Sequence, residues 1–542
     1  MKKLLIQKRH GSALVYVLMV ISAASILFAG TIQFVVSHVK YNTSLESDQQ
    51  AFHVAEAGVF FYRWYLAHNI EGKTASEIQN FWDGDPLGQD DNGDGDCDDP
   101  DTVDGDGDGT EAYVANYEGI GQYKICITPP QTYSTVLHIQ SEGTATSAGI
   151  TQKRTIRARQ RKPSWSEFAI LANANTRLRQ DTNVYGPIHV NGGFHFDGTA
   201  HNIVSSSVTS YYDGDSDVRA NRPGVWAASN PTSLGTKYVD TSDGEHFLAG
   251  KRYPVVVQDF SSITSVFGEM RATAIADNMY FDNSRQGRYI ELKVDGGDPT
   301  RGTAEVYGVE SFDSNFTPTL AQSCHMEPVC TRYRWNGDCR TWGQQEVCVS
   351  EPPIIKAIGP IDGEPFVGIL YVEDNVWVKG TLPEGIKLTI AAHNPAESIQ
   401  PRMFIGMNNG GNGDVDYKDR DSDCVLGLAA EGNIELMKNS EGSTSAASGS
   451  DAETLNIDAV LLSQYGRVGR YDWRDCKDTI TIYGAIASNT RMGFGFNDGL
   501  CGGEGSGFEN RNLYFDGNLL YSPPPMFPTG STYAMDLWEE VK

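Results

Sequence analysis

No proline precedes Pro86 in this 542-residue chain. Without a residue that removes an amide donor and clashes with the preceding turn, nothing before that point obliges a helix to stop. Between Ser12 and Val36 there is no Asp, Glu, Lys or Arg. Basic residues are few throughout: 43 Lys and Arg against 70 Asp and Glu, for a net charge of −27. Such a surface repels nucleic-acid backbones, so no nucleic-acid partner is expected. The nine cysteines include no CxxC pair, which argues against a zinc site. There is no P-loop, no HExxH and no nucleophile elbow, and no residue is nominated as catalytic.

What the chain does have is a long apolar run, SALVYVLMVISAASILFAGTIQFVV, from Ser12 to Val36. About 25 residues at 1.5 Å each cross a ~30 Å hydrocarbon core. Lys2, Lys3, Lys8 and Arg9 precede it and place the N-terminus on the cytoplasmic side. Apolar residues then return at Phe52, Ala55, Val59, Tyr62 and Leu66, the spacing of one helix face. The prediction is one helix over 12–70, with 12–36 in the inner membrane and the rest packed on a soluble domain. Three fates compete for the start of the chain. It could be a secretory signal peptide, a plain membrane anchor, or a short basic leader at 1–11 cut between Gly11 and Ser12.

The stretches GSALVYVLMV and SDQQAFHVAEAG (Ser47 to Gly58) resemble the two ends of the N-terminal helix in type IV pilin-like proteins with a PilX-type N-terminal region. The resemblance covers roughly residues 8–70. It implies cleavage by a prepilin peptidase, lateral packing on other pilin-like subunits, and display at the cell surface or on a pilus. It also implies a glutamate at the fifth position after the cut, where this chain has Tyr16. Losing that charge fits a minor, tip-located or initiating subunit, for which no neighbour's amino terminus awaits it.

The strongest chemical signal is oxygen-rich. Asp90, Asn92 and Asp94 followed by Gly95 fit the start of a calcium loop, with Asp96 close by and Asp101 at the twelfth position. Asp104, Asp106 and Asp108 repeat the pattern, within an acidic stretch spanning 83–109. This wording resembles thrombospondin type 3 or dockerin-like loops, and calcium is the expected cofactor. Asp213, Asp215 and Asp217, and Asp414, Asp416, Asp419, Asp421 and Asp423, are weaker clusters, with calcium and plain surface charge equally open.

The fold class expected is α+β. The helix and a small antiparallel sheet form a pilin-like head over 71–164, and a mainly-β domain follows over 165–542. TIRAR at 155–159 reads as a half-buried strand with a cationic face. In the second domain Ile188–Phe196, Leu370–Val378 and Leu428–Leu436 are imperfect copies, with a weaker echo at Ile480–Ser488. Each is two apolar-x-apolar strands around a polar corner, which argues for a β-solenoid, like a parallel β-helix, with a β-sandwich as the alternative. His189 and His195 fall in these strands with an outward polar role expected. Cys324, Cys330, Cys339 and Cys348 mark a disulfide-stapled insertion at about 320–350, of unassigned pairing. The odd cysteine total leaves at least one thiol free or paired between chains. Pro523 to Pro525 are expected to terminate the solenoid, with the last aromatic residues capping its edge.

The functional expectation is a non-catalytic minor pilin-like subunit displaying a calcium-stabilised β-rich domain for adhesion or assembly initiation. The alternatives are a polysaccharide-acting β-helix enzyme and a permanently anchored envelope protein.

Overall fold

The computed structural model describes residues 12–90, 97, 111–130, 134–228, 244–260, 263–335, 337–361, 365–396, 400–407, 413–440, 454–496, 498, 500–501, 505–530 and 533–541. The chain is α+β and divides into two bodies. One comprises Met1–Pro130, Val136–Arg161 and Thr532–Lys542, the other Gln131–Thr135 and Lys162–Ser531.

In the first body α1 (Ser12–Ile70) is a single helix of 59 residues, about 90 Å long. Its first half is exposed. From Ser47 onward one face is buried at Ala51, Val54, Ala55, Val59, Tyr62, Leu66 and Ile70, while Phe52 is half-buried. That face packs on Ile125, Ile127, Leu137, Ile139, Ile156 and Ala158 of a sheet. The sheet runs antiparallel through β1 (Tyr113–Tyr117), β2 (Gly121–Thr128), β3 (Val136–Ser147) and β4 (Ile150–Arg161).

A fifth strand, Ala534–Val541, completes it, with Ala534 opposite Arg161 and Val541 opposite Thr155. This corrects the expectation that the second domain runs to 542. The free edge of β4 would leave a row of backbone donors and acceptors open. Its cations also need partners: Asp536 takes Arg159 at 3.0 Å and Arg161 at 3.1 Å.

The second body is held by parallel ladders. Leu370 of Val367–Val372 pairs with Ile390, Ile390 with Leu428, Leu428 with Leu461, and Leu461 with Ile486. Ile486 then pairs with Ile170, and Ile170 with Ile188. The first residues of the three predicted repeats thus stand in one column. A second ladder carries Val376, Met403, Ile434 and Val468. Their side chains join one buried core. The cysteine-rich segment is an exposed antiparallel hairpin of Gln322–Tyr333 and Cys339–Ser350. It is stapled by Cys324–Cys348 and Cys330–Cys339. Cys476 pairs with Cys501, and Cys424 is the buried free thiol, its pKa raised by burial.

Pro523 to Pro525 do not end the ladder. The Pro525 carbonyl accepts from Thr389 Oγ1 at 2.7 Å, and Phe527 lies against Gly427, the ladder partner of Thr389. The segment covers the middle of the stack, and Trp538, expected as a cap, sits in the first sheet and meets Phe52 edge-on at 5.7 Å.

Candidate functional site: the apolar helix and the acidic loop

The first half of α1 is a long apolar surface that nothing covers among the described residues. Leu14, Val17, Leu18, Ile21, Ile26 and Phe28 are each more than half exposed. Isolated exposed apolar residues are ordinary, but a contiguous rod of them marks a membrane or partner surface. By length and composition this helix suffices to cross a membrane. Gly11 lies outside the described residues, and Ser12 is the first described residue, already helical. Tyr16 stands exposed at the position where the resemblance calls for glutamate. Ser22, Ala23, Ala24 and Gly30 are small, and a Cβ added at Gly30 would meet nothing within 4 Å outside its own helix. Small residues are what allow a second helix to come close in lipid.

Where the helix leaves the apolar zone the sheet takes hold of it. Ser47 Oγ reaches the Ile150 carbonyl at 3.1 Å, Gln152 donates to Ser44 Oγ at 2.9 Å, and Arg154 holds Asp48 at 2.5 Å. The polar stretch 40–50 is therefore the junction at which β4 grips α1.

Of the calcium candidates, Asp90 is buried, and its amide donates to the Ile127 carbonyl at 2.8 Å. Asn92, Asp94, Asp96, Asp101, Asp104, Asp106 and Asp108 lie outside the described residues. Between the two halves of the acidic stretch, Cys97 is buried and disulfide-bonded to Cys126 of β2, beside Ala112. The loop is thus tied to the sheet at both Asp90 and Cys97. Sequence spacing had left this pairing undetermined.

The weaker acidic clusters differ: the first is engaged by Arg and His side chains, whereas in the second Asp419, Asp421 and Asp423 are exposed surface charge and Asp414 and Asp416 are half-buried. Asp215 is bound by Arg491 at 2.5 and 3.0 Å and by Arg177 at 3.1 Å. These bonds, Arg491 foremost, pull its pKa down to about 2. Asp217 takes Arg177 at 2.7 Å. Asp213 is buried, with its Oδ2 3.2 Å from His195 Nδ1 but off the line of a hydrogen bond. In the other cluster, Asp414 accepts the Asn456 amide, burial raises the Asp416 pKa, and Asp419 closes its own turn on the Asp421 amide.

His189 and His195 are buried, contrary to the outward role expected. His189 bonds Ser205 and Asn191, each at 3.0 Å, and burial lowers its pKa. His195 stacks on Trp226 with centroids 3.7 Å apart and meets Asp197 at 3.0 Å. Side chains from the 210–226 insertion cover it, which the pattern of its own strand could not reveal. Among the described residues, His195, Asp213 and Asp215 are close enough to share an ion. The oxygens of Asp215 already answer two guanidinium groups. Cys324, Glu346 and Cys348 also cluster, with both sulfurs used in a disulfide.

No protein-family model and no curated protein matches the chain. Among solved structures it is similar to a competence-associated pilin, ComZ, from Thermus thermophilus, at 12% identity and a TM-score of 0.26, over 91% of this chain and 97% of that one. A likeness at that level carries no weight in the reading that follows.

Proposed function

We propose that this protein is a minor pilin-like, membrane-inserted subunit of a type IV pilus or related secretion filament. In this reading it displays a β-rich domain at the cell surface for adhesion or for starting assembly, without catalysis. The observation that carries the proposal is α1 itself: one unbroken helix, apolar and uncovered over its first half, clasped by an antiparallel sheet over its second. The uncovered half would sit in the inner membrane before assembly and against other pilin-like helices afterwards. Tyr16 leaves no buried carboxylate to neutralise in a neighbour, which suits a subunit used once per filament.

The second body is read as a β-solenoid. Support comes from its parallel ladders, since hairpins stacked in a sandwich would pair antiparallel. Calcium in the 83–109 stretch is proposed from its carboxylate density and the two ties that hold the loop to the sheet.

N-terminal sequencing of the protein from wild-type cells and from cells lacking prepilin peptidase tests the assignment. A start at Ser12 that depends on the peptidase, with the helix retained, is the result expected. Loss of the helix, or an intact Met1 on the surface-displayed protein, would refute it. The intact-Met1 result would favour a permanently anchored envelope protein, the reading to which Tyr16 also lends itself.

A further inference from the structure

Five arginines, Arg177, Arg179, Arg467, Arg491 and Arg511, line one cleft of about 220 Å³ in the second body, with Phe494 and Phe496 in its wall. In a chain of net charge −27 this concentration of one sign needs an account. Local structure explains how they meet. Arg177 and Arg179 flank the buried Leu178 on the strand Thr176–Leu178, Arg511 lies on Gly507–Tyr514, and Arg467 precedes Val468–Arg470. Residues distant in the chain are thus brought to one wall.

Their partners are unequal. Arg177 is paired with Asp215, Asp217 and Asp197, Arg491 with Asp215, and Arg467 with Glu435 at 3.2 Å. Among the described residues Arg179 and Arg511 have no ion pair. Arg511 is buried and donates only to neutral oxygens: Thr182 Oγ1 at 2.8 Å, the Phe508 carbonyl at 2.6 Å and the Gln180 carbonyl. Arg179 is half-buried; burial, then Arg177, weighs against its charged form, and the nearby Asp217 and Asp215 only partly offset them. Carboxylates lie near both, Asp181 and Glu509 for Arg511 and Asp217 and Asp215 for Arg179, but none is in contact with them. A buried cation whose counter-charges stay out of contact is costly, and the cost is relieved when an anion enters.

We propose that this cleft binds a compact oxyanion, the carboxylate or phosphate group of a small organic acid or acidic sugar. Arg179 would be the principal contact, and Arg511 would supply field from the floor. Guanidinium groups suit this chemistry because their paired N–H donors match two oxygens at once. Size and surroundings set the class. With ~30 Å³ per water, the cleft holds roughly seven waters, or one acid-bearing ring. Strand-binding proteins offer instead a long basic groove with a row of stacking platforms. Asp215, Asp217 and Glu435 at the margin would repel a polyanion passing through.

Isothermal titration of the full-length, detergent-solubilised protein with inorganic phosphate, galacturonate and galactose provides the test. Wild type should bind at least one anion saturably and with sensitivity to salt, and should not bind galactose. Whichever anion binds identifies the source of the oxyanion. Arg179→Gln, at a half-exposed position that leaves the fold intact, should weaken binding at least ten-fold. Arg301→Gln, at an exposed position outside the cleft, should leave it unchanged. Absence of saturable anion binding, or equal binding by Arg179→Gln, would overturn the proposal.

Discussion

Arg154 of β4 reaches Asp48 of α1, Nη1 to Oδ2 at 2.5 Å, and its other terminal nitrogen meets Glu540 of the strand Ala534–Val541. One guanidinium thereby joins helix, sheet and edge strand, and the Asp48 bond is the main reason its pKa is raised. All three side chains are partly exposed, so the pair is worth about 1 kcal/mol rather than the larger value of a buried bridge. Arg154→Ala should lower the unfolding free energy of the first body by about that amount. The loss should shrink as salt is added, in denaturant melts followed by near-ultraviolet dichroism. A loss that is constant from low to high salt would show that packing of the arginine stem matters more than charge.

Gly143 is a point of close approach between sheet and helix. A Cβ placed there would overlap the Ala51 carbonyl and the backbone of Ala55. Neither can retreat, because Ala51 and Ala55 are fully buried on the packed face. Gly143→Val should therefore cost about 1–3 kcal/mol by overpacking. It should also raise hydrogen exchange at β2 and β3 amides while leaving the second body unchanged. Unaltered exchange would mean that helix and sheet do not meet there.

How far this was legible in the sequence depends on whether the signal was local. Ala55, Val59, Tyr62 and Leu66 repeat at the helical period, and all four are buried where that period places them. Ile188, Leu370 and Leu428 look alike because they occupy one column of one ladder. Stacking order is a different matter: Ile170 follows Ile486 in space, although it begins the body in sequence. Nothing in either segment's own alternation specifies its neighbour. The strand Ala534–Val541 escaped for the same reason, since its partner is β4 and its charges make sense only beside Arg159 and Arg161. Asp213 and Asp215 looked like another acidic loop because Arg177 and Arg491, which answer Asp215, are remote in the chain.

The Asp215 carboxylate sets a pH dependence. Its folded pKa, about 2, lies below the usual aspartate value of about 3.9, chiefly through Arg491. A depressed folded pKa contributes stability above the unfolded value and loses it as pH falls from about 4 to about 2. The contribution is at most about 2–3 kcal/mol, less what solvent screens. Asp215→Asn should therefore destabilise the second body at pH 6, and its deficit should narrow steadily between pH 4 and pH 2. A deficit independent of pH would place the loss in packing instead.

The disulfides should differ in consequence. Cys97–Cys126 spans a sequence separation of 29 and anchors a loop to the core of the first body, so Cys126→Ser should cost about 3–4 kcal/mol there. Cys324–Cys348 closes an exposed hairpin. Replacing both of those residues by serine should leave both bodies' melting midpoints in place and open the hairpin to proteolysis. Equal shifts from the two removals would mean that the hairpin packs on more than its own strands.

If calcium occupies the acidic stretch, the ion and the Cys97–Cys126 bond act on the same loop and should be coupled. A ligand that binds only the folded form stabilises it by about 2.7 kcal/mol at a hundred times its dissociation constant. Loops of this composition bind at up to millimolar levels, so calcium in the low millimolar range should raise the melting midpoint of the first body and a chelator should reverse the rise. Asp94→Asn combined with Asp106→Asn should abolish the response, since each removes a carboxylate from one of the two sequence patterns. Cys126→Ser should weaken it, because ordering the freed loop then draws on binding energy that the disulfide had spared. Magnesium at the same concentration should do less, as it demands a tighter octahedron and gives up its water reluctantly. A melting midpoint that ignores calcium in the wild type would leave the carboxylates as a solvated linker held by its disulfide and the Asp90 hydrogen bond.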